Sequence, residues 1–186
     1  MNRMTLKRFL RFSIRLALIV TLLVACLFAY QLRRYRAIRA ANIAIKELGG
    51  SCGYSIDGPN WLRKIVNDDN YFLNPVRISL GTHTGNSTAE EINDAVIADA
   101  VPYIRCFSKF EVLDLRTVSI TDQGVASLKS LPTLKYLRIS SRFITDQGLE
   151  TIELFPALEE LLLECDGVSD EAIRQLQASR PSLKIE

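Results

Sequence analysis

LKYLRISSRFITDQGLETIELFPA, residues 134–157, decides the fold of this chain, because its columns recur on both sides of it. FEVLDLRTVSITDQGVASLKSLPT (110–133) stands 24 residues earlier and LEELLLECDGVSDEAIRQLQASRPS (158–182) follows it. Phe110-x-x-Leu113-x-Leu115 aligns with Leu134-x-x-Leu137-x-Ile139 and Leu158-x-x-Leu161-x-Leu163. At one fixed offset come Ile120-Thr121-Asp122-Gln123-Gly124, Ile144-Thr145-Asp146-Gln147-Gly148 and Val168-Ser169-Asp170-Glu171-Ala172. Pro132 and Pro156 keep the spacing, Pro181 comes one residue late, and Leu183-x-Ile185 opens a further strand.

Each column has a physical reading. Leu113 and Leu115 share one face of a strand while Asp114 points the other way, and Val125, Leu128 and Leu131 recur every three residues like a buried helix stripe. Thr121, Thr145 and Ser169 suit helix N-caps, and the acid after each lies in a first turn, where the helix dipole favours it. One strand and one return helix cannot bury their apolar faces alone, so the units must stack. The expected class is therefore α/β, with parallel strands on one face and helices on the other.

These residues resemble a leucine-rich repeat, and the Thr/Ser-Asp-x-Gly/Ala-aliphatic element is similar to the cysteine-containing class of such repeats. The resemblance implies a short solenoid. Where many such repeats carry Asn, Cys or Thr to bond neighbouring backbone, this chain has Val118, Arg142 and Asp166, with Arg142 and Asp166 placed to pair across adjacent rungs. Upstream, Leu73-x-x-Val76-x-Ile78 repeats the strand pattern, and Thr88-Ala89-Glu90-Glu91 reads as a capping box before a helix over 92–104. The organisation expected is a regular array at 110–133, 134–157 and 158–182, a degenerate first repeat at 73–109 and a half strand at 183–186.

The N-terminal part reads differently. From Leu16 to Leu32 run 17 uncharged residues, ten of them Leu, Ile, Val or Phe, between Arg15 and Arg33-Arg34. At about 1.5 Å per residue this segment spans roughly 25 Å, and snorkelling arginines with Tyr30 and Tyr35 suit the interface, so 16–32 reads as a transmembrane helix after a basic tail, 1–15. Cations number five on each side, and because a short basic tail is hard to translocate, the body is expected outside the cytoplasmic membrane. Leu23-Val24-Ala25-Cys26 also fits a lipoprotein box, with Cys26 as the alternative anchor. Residues 33–72 read as a juxtamembrane helix, Tyr35 to Leu48, stopped by Gly49-Gly50, and a cap that includes a helix from Pro59 to Val66 with Trp61 and Leu62 on its apolar side.

The order of segments as a whole resembles bacterial single-pass leucine-rich-repeat proteins: R-F-S-I-R at Arg11–Arg15, L-G-G-S-x-x-Y at Leu48–Tyr54, G-P-x-W-L-R at Gly58–Arg63 and P-x-x-x-I at Pro181–Ile185. That resemblance implies an anchored interaction module without catalysis and offers no functional residues to carry over.

Charge and composition narrow the function further. Residues 1–46 hold ten Lys/Arg and no acid, whereas 47–186 hold 13 Lys/Arg against 21 Asp/Glu. An acidic body argues against nucleic acid, whose phosphates select basic patches. A hydrolase is the remote alternative. His83, the single histidine, sits in a turn-rich loop, and Asp68-Asp69, Glu90-Glu91 and Glu159-Glu160 read as solvated charge rather than catalytic pairs. Four cysteines without a C-x-x-C pair leave no zinc pattern, so no metal, cofactor or small-molecule substrate is expected. Cys52 and Cys106 could form a disulfide if the body is outside, but buried free thiols are the preferred reading, and Asn86-Ser87-Thr88 fits a glycosylation sequon.

A partner would meet the outward residues of the strands. Written by frame, they form the columns Pro75, Val112, Tyr136, Glu160; then Arg77, Asp114, Arg138, Leu162; then Ser79, Arg116, Ser140, Glu164. Tyr136, Arg138 and Leu162 are the expected anchors of a protein-binding patch, with Arg77, Asp114 and Glu160 beside them, since Tyr and Arg are enriched at binding hot spots. The same charges also fit a face on which Arg77, Asp114 and Arg138 only screen one another. The partner is an unidentified protein, and a structural spacer in an envelope assembly is the competing reading.

Overall fold

A computed structural model of the chain describes residues 3–58, 60–66, 72–81, 92–116 and 119–186. The described chain divides into two compact units, Met1–Ala37 and Ile38–Glu186.

The first unit is helical. Helix α1 runs without interruption over Arg3–Glu47, so the apolar segment and the juxtamembrane segment are one element rather than two. The part from Leu16 onward is long and apolar enough to cross a membrane, and none of its most apolar window is buried in protein. Leu18, Leu22, Leu27 and Phe28 are all exposed, which is the condition a span requires of its lipid-facing side.

The second unit begins with the last turns of α1. Ile38, Ala41 and Ile45 recur at three and four residues and are buried in the core. The helix stops at Gly49, whose φ of 77° is open to glycine at little cost, and the Gly49 and Gly50 N–H groups donate back to the Lys46 and Ile45 carbonyls in a Schellman closure. There follow β1 (Ser51–Ile56), α2 (Asn60–Val66), β2 (Leu73–Gly81), α3 (Asp94–Ile104), β3 (Val112–Arg116), α4 (Asp122–Leu128), β4 (Tyr136–Ser140), α5 (Asp146–Glu153), β5 (Glu160–Glu164), α6 (Asp170–Ser179) and β6 (Lys184–Ile185). The six strands form one sheet in chain order. Strand β1 is antiparallel to β2, with a bulge at Gly53/Tyr54, and every later pair is parallel.

The parallel pairs β3, β4 and β5 join residues 24 positions apart, Leu113 to Leu137 to Leu161, which is the sequence period expressed as register. Their inward side chains build the core with the helix stripes: Leu113, Leu115, Ile120, Val125 and Leu128 from one unit, Leu137, Ile139, Ile144, Leu149 and Ile152 from the next. Each such side chain removed from water stabilises by roughly 1.5–3 kcal/mol relative to leaving it exposed. Phe110, at the start of its unit, and Phe155, just before Pro156, are the two bulkiest fully buried side chains among the described residues.

Three expectations are corrected. The first strand is shifted by two residues, since Arg77 lies opposite Val112 and Ser79 opposite Asp114, so Ile78 and Leu80, not Val76 and Ile78, continue the Leu113 and Leu115 columns. Both frames keep the same parity, and the period of two cannot distinguish them. Helix α3 starts at Asp94 under an Asn93 cap that accepts from Ala95 and Val96 N–H at 3.0 and 3.2 Å, while 88–91 lies outside the described residues. The backbone-bonding column is one residue earlier than Arg142 and Asp166, with Val118 outside the described residues: the buried Ser141 hydroxyl donates to the Ile120 carbonyl at 2.8 Å and the Cys165 thiol points to the Ile139 carbonyl. Arg142 and Asp166 are both exposed and no ion pair joins them. Pro59, the side chains of Trp61 and Leu62, and residues 67–71 and 82–91 lie outside the described residues.

Candidate functional site

Parallel strands in chain order bring their outward residues into rows about 4.8 Å apart. One row is Arg77, Val112, Tyr136, Glu160 and Lys184, and the next is Ser79, Asp114, Arg138 and Leu162. Tyr136, Arg138, Leu162, Asp114 and Glu160 therefore do come together on one face. Arg77 joins them one row away from its expected place, beside Val112 instead of Asp114.

Charge on this face is paired along strands and diagonals rather than across one row. Asp114 accepts a bidentate fork from Arg116, Nε to Oδ1 at 2.8 Å and Nη2 to Oδ2 at 2.7 Å, and the carboxylate is only 10% exposed beneath it. Arg138 donates to Glu164 on the next strand, and its own Nε is buried without an acceptor among the described residues. The Arg138 hydrogen bond is the main reason that the Glu164 carboxyl lies below its ordinary value, and the Asp114 hydrogen bond raises Arg116. Arg138 is thus committed inside the sheet, while Tyr136, 40% exposed, and the half-exposed Val112 and Leu162 form the apolar part that remains open. Frame alone could not reveal the roles of Arg116 and Glu164, because a pair at i, i+2 and a diagonal pair both leave the columns of sequence unchanged.

The opposite side of each unit carries a second regularity. Asp94, Asp122 and Asp146 each open a helix and reach forward to the next unit's cap, accepting from the backbone N–H of Thr121, Thr145 and Ser169 at 2.8, 2.9 and 2.7 Å. The hydroxyls of the same three residues donate to the second carboxylate oxygen at 2.6, 2.6 and 2.8 Å. Gly124 and Gly148 make room: a Cβ there would lie 2.3 Å from Asp94 Oδ1 and 2.5 Å from Asp122 Oδ1. These carboxylates are occupied by the fold. A shallow groove between α5 and α6, lined by Asp146, Glu150, Glu153 and Glu171, has the same acidic character.

The chemistry considered from sequence finds little further geometry. His83, Asp68-Asp69, Glu90-Glu91 and Asn86-Ser87-Thr88 lie outside the described residues. Glu159 is exposed at the start of β5 and Glu160 sits in the outward row. Cys26, Cys52, Cys106 and Cys165 are all free thiols, so Cys52 and Cys106 are not joined. No family model matches the chain, and no curated protein matches it.

Proposed function

We propose that the chain is a membrane-anchored leucine-rich-repeat protein that acts by non-catalytic protein binding through the outward face of its sheet. The chain-order parallel strands, their 24-residue register and the one-helix return of each unit support the repeat reading, and α1 supports the anchor. The observation that carries the binding reading is Tyr136, open at the middle of the face with Val112 and Leu162 beside it and charged rows around it. An aromatic anchor among apolar neighbours inside a polar rim is the usual anatomy of a small interface.

The test is affinity capture from solubilised membranes with full-length protein and with Tyr136→Ala/Arg138→Ala. A partner retained by the former and lost by the latter, at equal thermal stability, supports the reading; equal capture removes the face from consideration. The spacer reading draws on a specific observation, that Asp114 with Arg116 and Arg138 with Glu164 satisfy one another and leave little charge for a partner. In that case the double variant changes nothing that a capture experiment reads. Placement of the second unit outside the cytoplasmic membrane is part of the proposal, and cleavage of a C-terminal tag by protease added to intact spheroplasts tests it.

A further inference from the structure

We infer that Arg33 and Arg36 form a binding site for the phosphate of anionic phospholipids. The inference rests on the membrane-spanning reading of residues 16–32 and adds a ligand to it. Both arginines are exposed on α1, and neither takes part in an ion pair among the described residues. Three residues apart on a helix, their Cβ atoms are neighbours at about 5–6 Å, so two guanidinium forks can close on one phosphodiester.

Depth agrees with this. Counting about 1.5 Å per residue from Leu32, Arg33 and Arg36 lie roughly 1.5 and 6 Å beyond the apolar segment, within a headgroup layer about 5–7 Å thick. Tyr30, an exposed aromatic just inside, suits the same boundary. The helix offers the two cations no close counter-ion: the first acid in the chain is Glu47, about 16 Å along the helix axis from Arg36 and about 21 Å from Arg33, two screening lengths or more at physiological salt. Arginine rather than lysine at both positions favours bidentate phosphate contact over diffuse attraction.

The experiment uses full-length protein carrying Ala37→p-benzoylphenylalanine, reconstituted in vesicles of equal phosphatidylglycerol and phosphatidylcholine, with photo-adducts counted by mass spectrometry. The expected result is a preference for phosphatidylglycerol of roughly threefold or more. Arg33→Gln/Arg36→Gln should bring the ratio to near one, and Arg33→Lys/Arg36→Lys should leave it clearly below the starting value. Equal adduct yields in the starting protein, a ratio untouched by the glutamine pair, or a lysine pair as selective as arginine would each overturn the inference while leaving the membrane reading in place. Release of the protein from vesicles by an alkaline wash would instead remove the membrane reading itself.

Discussion

Asp122 holds Thr145 at two atoms, accepting from its backbone N–H and from its hydroxyl, and the Thr145 hydroxyl in turn accepts from the Gln147 N–H at 3.3 Å. The first carboxylate of one helix therefore fixes the cap of the next. Asp122→Ala leaves the Thr145 N–H and hydroxyl to water or to nothing, and charge-assisted bonds of this kind contribute about 1.5–3 kcal/mol. Loss of stability in that range is expected from denaturant unfolding in detergent, with Asp122→Asn closer to the unsubstituted protein because its amide oxygen still accepts. An unchanged midpoint for Asp122→Ala would show that the ladder is geometrically regular but energetically idle.

Acid should loosen the same ladder. The Asp146 carboxyl is lowered first by the Ser169 backbone N–H and then by the Ser169 hydroxyl, and Glu164 is lowered chiefly by Arg138. A carboxyl depressed in the folded state stabilises above its unfolded pKa, and that contribution is lost as pH falls through the folded value. The melting temperature should hold from neutrality down to about pH 5 and fall below about pH 4, less steeply in Asp146→Asn. Identical acid limbs for the two proteins would exclude Asp146 as a contributor.

Removing Arg116 and removing Arg138 should not cost the same. Arg116→Ala strips the fork from a carboxylate, Asp114, that is almost covered, whereas the Glu164 partner of Arg138 is 47% exposed and reaches water when released. A stranded, nearly covered acceptor costs about 1–3 kcal/mol, while a carboxylate that reaches water when its partner is removed costs less. Arg116→Ala is expected to lower stability by the larger amount, and the reverse order in thermal melts would contradict the assignment of which pair is covered.

The strand columns were legible in sequence because Leu113, Leu137 and Leu161 obey two periods at once, two along each strand and 24 between strands. The outward neighbours of Tyr136 followed from the same arithmetic. What parity leaves open was not legible: β2 slides by two without turning a single side chain over, and so moved Arg77 away from Asp114. The acid after each N-cap reads as a dipole partner when one helix is considered alone, and only the neighbouring unit reveals its second duty. Gly124 and Gly148 held that signal, since a small residue at one helix position of each unit, Ala172 being the third, implies something packed close to it. Strand β1 was missed because Gly49-Gly50-Ser51-Cys52-Gly53 has the composition of a turn, and pairing with β2 overrides it.

Thiol chemistry separates the cysteines. Burial, the largest cause, raises both Cys52 and Cys165, while Cys106 is exposed at the end of α3. Alkylation at about pH 7.5 should label Cys106 well before Cys52 or Cys165. Four thiols should react after unfolding without reductant; two would restore the disulfide between Cys52 and Cys106.

The burial of Ile38, Ala41 and Ile45 decides where a soluble fragment can begin. Gly49-Gly50 looks in sequence like a natural place to cut, yet a Cβ on Gly50 would meet both Ile45 and Leu80 within 3 Å, so the end of the helix before the glycines lies close to β2. A fragment starting at Ser51 would uncover Leu80 and Ile78 to water and present a sticky end to its own copies. Starting ahead of Ile38 keeps that lid on the core.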